Sequence, residues 1–408
     1  MIRECVQMLR ITTICIRHGF WLLFYPKQRV ARSMIRDLAR VNIIFLKILQ
    51  VTASSFDDAS DYTDYTTQVP FDTGDIQLGC IRRLQATFPI VIAPHPIYAG
   101  SSCLIYQAVY KDRRVIVKIK RTNLNEYIQT SVSIALVLCR LIDRLSLVPV
   151  LSLVDVCAEV TPNILDQTDF TNELYNMHLF QRRFNTTDSP IRIPETFDEF
   201  TAMDENVIVM EQVPGAHMQH LDATHAHRMC ELVSHFNMQC IVERGMFHGD
   251  LHCGNVLYDR DADVLYVLDF GITGFMSRKE VGALVSIMKA YAWKNFQRMA
   301  YLVVAEMAEL PADVPVGSLV DVCHAVQSFL SDLYQTRAIV TYEDITALYA
   351  LVKSMHIRIG RTFHRLQMSL GITNAMCAAH LTPDENNRIM HESFRLVLPR
   401  VLSSKSHK

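Results

Sequence analysis

Three side chains with oxygen to offer stand at short intervals in the second half of the chain. Asp250 and Asn255, five residues apart, lie within Phe247-His-Gly-Asp-Leu-His-Cys-Gly-Asn255, and Asp269 opens an Asp-Phe-Gly turn fourteen residues later. Phosphoryl transfer from ATP calls for a carboxylate beside the acceptor hydroxyl or water and for oxygen ligands to Mg²⁺. Asp250 suits the first role, Asn255 and Asp269 the second. Taken singly, each acid reads as a turn or cap residue; order and spacing carry the reading. Upstream, Val115-Ile-Val-Lys118 ends an apolar run in a lysine whose charge is costly to bury without a partner. Glu173, 55 residues on, is the natural partner. The bland alternative is a Lys118 that snorkels from an edge strand.

These groups need elements to place them. Tyr106–Tyr110 and Arg114–Lys120 flank Lys111-Asp112 and predict a hairpin. Residues 33–50 and 123–148 read as helices, as do 166–184, with Asp166 or Asp169 near the start of the last. Val207–Met210 reads as a buried strand running into Glu211 and a Pro214-Gly215 turn, with Met210 and Glu211 as the hinge whose backbone would bond adenine. A second hairpin is predicted over 256–268, and Ser277-Arg-Lys-Glu280 reads as a capping box opening a long helical region. A small β-rich half followed by a helical half predicts an α+β chain of two lobes, with a ligand cleft between them. The expected divisions are a helical extension at 1–53, an acidic connecting segment at 54–84, an N-lobe at 85–212, a helical C-lobe at 213–402 and a tail at 403–408.

Composition narrows the classes. Half of the 408 residues are apolar, a fifth are charged and the net charge is −2, which fits a globular protein and gives no reason to expect nucleic acid as a partner. Eleven cysteines without CxxC pairs fit reduced thiols in an intracellular protein. The first 50 residues carry seven Arg and two Lys against Glu4 and Asp37. They read as a mitochondrial presequence, a membrane-surface helix, or an ordinary amphipathic helix packed on the domain. Arg17, His18 and Lys47 interrupt the apolar runs, so no transmembrane helix is expected. His217, His220, His225 and His227 lack a zinc-like spacing and read as surface residues around a helix start. The aromatic and methionine stripe of Phe275–Met307 reads as helix core.

The sequence resembles the UbiB family of atypical kinases over roughly residues 30–300. That family's catalytic loop, HxDxHxGN, matches His248 to Asn255, and its metal-binding aspartate matches Asp269. Its alanine-rich PxAxAS loop matches Pro96 to Ser101, its acid-x-Asp motif with a following glutamate matches Gln167-Thr-Asp169 and Glu173, and its KxGQ helix matches Lys47-Ile-Leu-Gln50. The resemblance implies a protein-kinase-like fold and ATP bound with Mg²⁺. Lys118 would meet the phosphates, Asp250 would be catalytic, and Ala99, Gly100 and Ser101 would lie in the phosphate loop. Lys47, Gln50, Gln167 and Asp169 would be regulatory, through a helix folded over the cleft. It further implies little phosphorylation of proteins in trans, an ATPase linked to membrane lipid or a small isoprenoid-like ligand, and support of ubiquinone biosynthesis at an inner membrane. Departures are Leu49 for the motif glycine, Gln167 for an acid, Gly100 for alanine, which loosens the loop, and Ser102-Cys103-Leu104. No GxGxxG loop precedes Lys118 and no Ala-Pro-Glu follows Asp269. Small-molecule phosphotransferases of the aminoglycoside and choline type share HGDLHxGN, and a nucleotide-binding pseudokinase is the other alternative.

Overall fold

Alternation along Arg113–Lys120 decides which side chains share a face of the sheet. Val115, Val117 and Ile119 are buried on one side, so Lys118 projects from the other. The computed structural model describes residues 2–52, 73–100, 102–145, 153–309, 316–336 and 341–403. The chain divides into two units, Met1–Gly215 with Tyr266–Ile272, and Ala216–Leu265 with Thr273–Lys408.

The first unit opens with helices α1 (Ile2–Trp21), α2 (Lys27–Ala39) and α3 (Ile43–Thr52). After a 3₁₀ turn at Thr73–Asp75 come α4 (Leu78–Thr87) and strands β1 (Ile90–Ile92), β2 (Tyr98–Ala99), β3 (Cys103–Tyr110) and β4 (Arg113–Lys120). Helices α5 (Leu124–Arg144), α6 (Leu153–Asp166) and α7 (Phe170–Phe184) follow, then β5 (Ile191–Arg192), α8 (Asp198–Met203) and β6 (Val207–Glu211). The antiparallel sheet has the order β1-β3-β4-β6, with β2 also on β3. Its β3–β4 hairpin turns at Lys111 and Asp112, both with positive φ (48° and 61°), as a two-residue turn matched to strand twist requires. One face packs Leu104, Tyr106, Val117, Ile119 and Val209 against Leu84 and Phe200. On the other face Ile105, Lys118 and Ile208 form a cross-strand row, and Phe170 of α7 covers its apolar members.

The helix expected over 33–50 is two helices. Asn42 breaks it: its buried side-chain oxygen accepts from the Ile44 N–H at 2.9 Å, and its amide donates to the Ser131 carbonyl of α5 at 3.1 Å. That caps α3 and redirects the chain. The apolar core of α2 and α3, including Leu38, Ile44, Phe45 and Ile48, packs with Ile128, Ala135, Ile142 and Ile164 of α5 and α6. Helix α1 is amphipathic on two sides. Ile11 and His18 are buried, with His18 Nε2 3.3 Å from Ser33 Oγ of α2; Leu9, Ile16 and Phe20 are exposed. No helix among the described residues is long and apolar enough to cross a membrane.

The second unit is mainly helical: α9 (Ala223–Met238), α10 (Arg278–Ala292), α11 (Phe296–Leu302), α12 (Val316–Thr336), α13 (Tyr342–Ser354), α14 (Arg361–Ala378) and α15 (Pro383–Ser403). Strands β7 (Met246–His248), β8 (Val256–Asp259), β9 (Val264–Val267, along which the chain re-enters the first unit), β10 (Thr273–Phe275), β11 (Ala308–Glu309) and β12 (Arg358–Ile359) interrupt the helices. The capping box at Ser277 and Glu280 forms as expected, with both reciprocal bonds. The stripe after Phe275 supplies core through Ala283, Ile287, Met288 and Met299, although Phe275 itself is exposed. Strand β10 pairs with β7, setting Gly274 opposite Phe247. A Cβ on Gly274 would lie 1.9 Å from the Phe247 ring, so only glycine lets that ring lie across the strand.

Candidate functional site

The first unit brings three of the expected residues together. Lys118 Nζ donates to Glu173 Oε1 at 2.7 Å, to Asp269 Oδ2 at 3.0 Å and to the Leu268 carbonyl at 3.3 Å. The lysine and glutamate side chains are 4% and 3% exposed, and Asp269 is 26% exposed. Strand alternation sends Lys118 to the α7 face, and Asp169 starts α7 there by accepting from the Asn172 N–H at 2.9 Å. One helical turn later Glu173 meets the ammonium. Lys118 therefore does not snorkel from an edge: β4 is internal, between β3 and β6.

The Asp-Phe-Gly turn is fixed at each residue. Asp269 Oδ1 accepts from the Gly271 N–H at 3.0 Å. Phe270 is buried 4.7 Å, centroid to centroid, from Phe180 of α7, and its carbonyl accepts from Asn176 Nδ2 at 3.1 Å. A Cβ on Gly271 would meet Gln167 at 3.4 Å. The segment predicted to be regulatory thus abuts the Asp-Phe-Gly turn. Lys47 and Gln50 lie on α3, but their side chains fall outside the described residues, as does Ser101 entirely.

One ammonium between two carboxylates leaves an excess negative charge. Burial opposes the charged form of Lys118, yet Asp269 and Glu173 outweigh it and hold the ammonium well above its usual range. Burial, then the charge of Asp269, pushes the Glu173 carboxyl from 4.5 up to about 7, against the pull of Lys118. The trio is thus one committed cation with a second carboxylate that holds its proton near neutrality. Between about pH 4.5 and 7 the folded state keeps a proton that the unfolded chain releases, so this group's contribution to stability falls as pH rises through that window. Relative to Glu173→Gln, wild type should lose on the order of 2–3 kcal/mol across it, read by urea denaturation at several pH values. A flat difference would contradict the shift.

Cys103 is buried on the face that carries Lys118, and burial pushes its thiol up to about 12. It is a packed neutral thiol, not a nucleophile. Ala99 ends β2, and Gly100 is held more firmly than the expectation of a loosened loop. Its N–H donates to the Cys103 carbonyl at 2.9 Å, and its carbonyl accepts twice from Arg121, at 3.1 and 2.7 Å. A Cβ there would sit 3.5 Å from the Cys103 carbonyl and 3.6 Å from its sulfur, so alanine would also fit. Met210 is buried in β6 opposite Ile116. The Glu211 N–H donates to Glu195 and the Gln212 N–H to Arg114, at 2.9 and 3.1 Å. Those two donors belong to the sheet.

In the second unit the His248–Asn255 segment folds around its own backbone. Asn255 Nδ2 donates to the Asp250 carbonyl at 2.9 Å, and His248 Nδ1 accepts from the Asp250 N–H at 3.2 Å. His252 Nδ1 accepts from the Gly254 N–H at 3.0 Å. Two residues that sequence reasoning missed brace this loop. His217 Nδ1 lies 3.2 and 3.1 Å from the carbonyls of Cys253 and Val256, and buried Ser369 Oγ donates to the His248 carbonyl at 2.6 Å. His217 is therefore not one of a set of bland surface histidines. The expectation holds better for His225, partly exposed beside the α9 cap Asp222. No group of three or more metal-ligating acids, cysteines and histidines occurs among the described residues.

The chain is 26% identical over 244 residues to the chloroplastic Protein ACTIVITY OF BC1 COMPLEX KINASE 7 of Arabidopsis thaliana, covering 58% of this chain and 34% of that protein. It is 28% identical over 214 residues to the Probable protein kinase UbiB of Pasteurella multocida, covering 47% and 38%. The chain thus spans little more than a third of the length of these relatives. Among solved structures, a Mycobacterium tuberculosis protein in complex with erythromycin aligns over 81% of this chain and 86% of its own, with 16% identity and a TM-score of 0.47. Residues 83–303, more than half of the sequence, match the ABC1 atypical kinase-like domain. With a kinase-like fold and relatives named for the same group, the chain belongs to the ABC1, or UbiB, family of atypical kinases.

Proposed function

We propose that the chain binds Mg-ATP and either transfers its γ-phosphoryl group or hydrolyses it, as an atypical kinase or ATPase. The observation that carries this reading is the buried Lys118 ammonium shared by Glu173 and Asp269. A strand lysine fixed by a helix glutamate is the group that holds ATP phosphates in kinase-like enzymes. A site with one cation and two carboxylates also suits a divalent metal, because the metal would compensate the excess negative charge.

Asp269 and Asn255 would hold Mg²⁺, which when bound neutralises charge on the phosphates and on the group being transferred. Asp250 would accept the proton of the acceptor hydroxyl or water. Ala99, Gly100 and Ser101 would cover the phosphates. Met210 and Glu211 would border the base; since the Glu211 and Gln212 N–H groups are engaged, the Glu211 carbonyl and the next N–H, at Val213, are the groups left to read adenine. Helix α10 begins at Arg278, seven residues after Gly271, which leaves little chain on which an extended protein substrate could dock. That favours water or a small lipid-like or isoprenoid-like acceptor at a membrane surface, with Lys47, Gln50, Gln167 and Asp169 as the regulatory segment.

Titration of wild type and Lys118→Ala with Mg-ATP, with phosphate release followed with and without anionic vesicles, tests this. Binding by wild type, weakened at least about tenfold in the variant, is expected. A wild type that does not bind Mg-ATP removes the reading. Binding without turnover under every condition would make the chain a pseudokinase, and a phosphorylated aminoglycoside or choline would move it to the small-molecule class.

A further inference from the structure

We propose that Arg121 and Asp75 form a latch that holds the turn after β2 in the shape that receives phosphates, so that both act as positioning residues. The proposal rests on the nucleotide reading above. Arg121 follows Lys118 by three residues at the end of β4. Its guanidinium is 3% exposed and faces Asp75, 1% exposed. Nη1 donates to Asp75 Oδ2 at 3.1 Å, while Nε and Nη2 both donate to the Gly100 carbonyl, at 3.1 and 2.7 Å. The Arg121 N–H donates to the Ser102 carbonyl at 3.0 Å, so side chain and backbone grip both ends of the turn.

Two features separate this from an ordinary buried ion pair. First, the carboxylate comes from outside the sheet, from the Thr73–Asp75 turn. That turn is sewn to the same strand end: the Thr122 N–H donates to the Asp75 carbonyl at 3.3 Å, and Gln77 Nε2 to the Lys120 carbonyl at 2.7 Å. Second, the guanidinium directs two of its donors to one carbonyl. A carbonyl oxygen turned toward a triphosphate would repel it. Held against a cation, the Gly100 carbonyl oxygen stays on the guanidinium and is kept from turning to the phosphates. Only a forked, always charged side chain can hold a carboxylate and a carbonyl in this way. The acid, fixed outside the sheet, keeps the fork aimed; without it the guanidinium would be a buried charge free to turn elsewhere.

Asp75→Asn removes the charge with little change of shape, and Arg121→Lys keeps the charge but loses the fork. Amide hydrogen exchange over residues 97–105 of the nucleotide-free protein is read first, then Mg-ATP affinity and turnover. Exchange in that segment should quicken roughly tenfold in both variants with the rest of the protein unchanged. The apparent Mg-ATP affinity should fall about tenfold while kcat stays within about threefold, a split that general loss of structure would not produce. Equal quickening throughout the protein, or a loosened segment with unaltered affinity, overturns the latch. If Arg121→Lys fails to fold, the neutral pair Asp75→Asn with Arg121→Gln replaces it and is judged by the same two readouts. Wild type that binds no Mg-ATP would be the failure of the nucleotide reading; wild type that binds it with both variants unaffected would be the failure of the latch alone.

Discussion

Asp269→Asn is expected to abolish most nucleotide turnover while making the nucleotide-free protein more stable. The two effects have one electrostatic cause. Asp269 stands 3.0 Å from Lys118 and adds to the burial that pushes the Glu173 carboxyl up to about 7, so it brings a charge that the lone ammonium cannot balance. Asparagine keeps the shape and still offers an oxygen to the Gly271 N–H, now 3.0 Å from Asp269 Oδ1. It lacks the negative charge that would hold a divalent metal against the phosphates. With Asp269 holding the metal as proposed, its loss costs several kcal/mol of transition-state stabilisation, roughly a thousandfold in rate. Relief of the carboxylate pair should return on the order of 1 kcal/mol to folding, or about 2–4 °C in Tm. Phosphate-release assays and a thermal melt without nucleotide check the two halves. Turnover within about threefold of wild type would remove Asp269 from the metal site, and an unchanged or lower Tm would contradict the excess-charge account.

Much of this site was legible before any coordinates, and for local reasons. A single charge closing the apolar run Val115-Ile-Val set Lys118 apart from its neighbours. A cap acid, Asp169, four residues before Glu173 put the glutamate on the first turn of α7, where both its place and its direction are constrained. What escaped notice is non-local. Arg121 is one more charge after a strand in the sequence; its value lies in Asp75, 46 residues upstream. His217 sat in a cluster of four histidines, and nothing in their spacing marked the one that faces carbonyls 36 and 39 residues away. Ser369, 121 residues beyond His248, left no signal at all. The break at Asn42 was visible as a polar residue in an apolar run, but helical periodicity continues through it, so the two helices read as one. At Met210-Glu211 the strand was right. Which donors the sheet takes depends on Glu195 and Arg114, and a single strand's pattern does not reveal its neighbours' hydrogen bonds.

Lys118 and Glu173 set the largest stability effect. Lys118→Met leaves Glu173 buried beside Asp269 with no cation. Above pH 7, where Glu173 has released its proton, removing the cation costs on the order of 3–5 kcal/mol because the carboxylate is stranded. Glu173→Gln alone is milder: Lys118 retains Asp269 and the Leu268 carbonyl, and the lost carboxyl is the one that burial already disfavours in its charged form. The double variant, Lys118→Met with Glu173→Gln, places a neutral pair in the same space and should recover 2 kcal/mol or more of what Lys118→Met loses, as a coupling in a double-mutant cycle. Turnover should be lost whenever Lys118 is absent, so stability and activity part company: the double variant folds well and does no chemistry. Urea denaturation of the four proteins at one pH above 7 decides it. A double variant no more stable than Lys118→Met would mean that the penalty comes from packing of the lysine stem between Ile105 and Ile208 rather than from a stranded carboxylate. The shared ammonium would then no longer be the feature that organises the site.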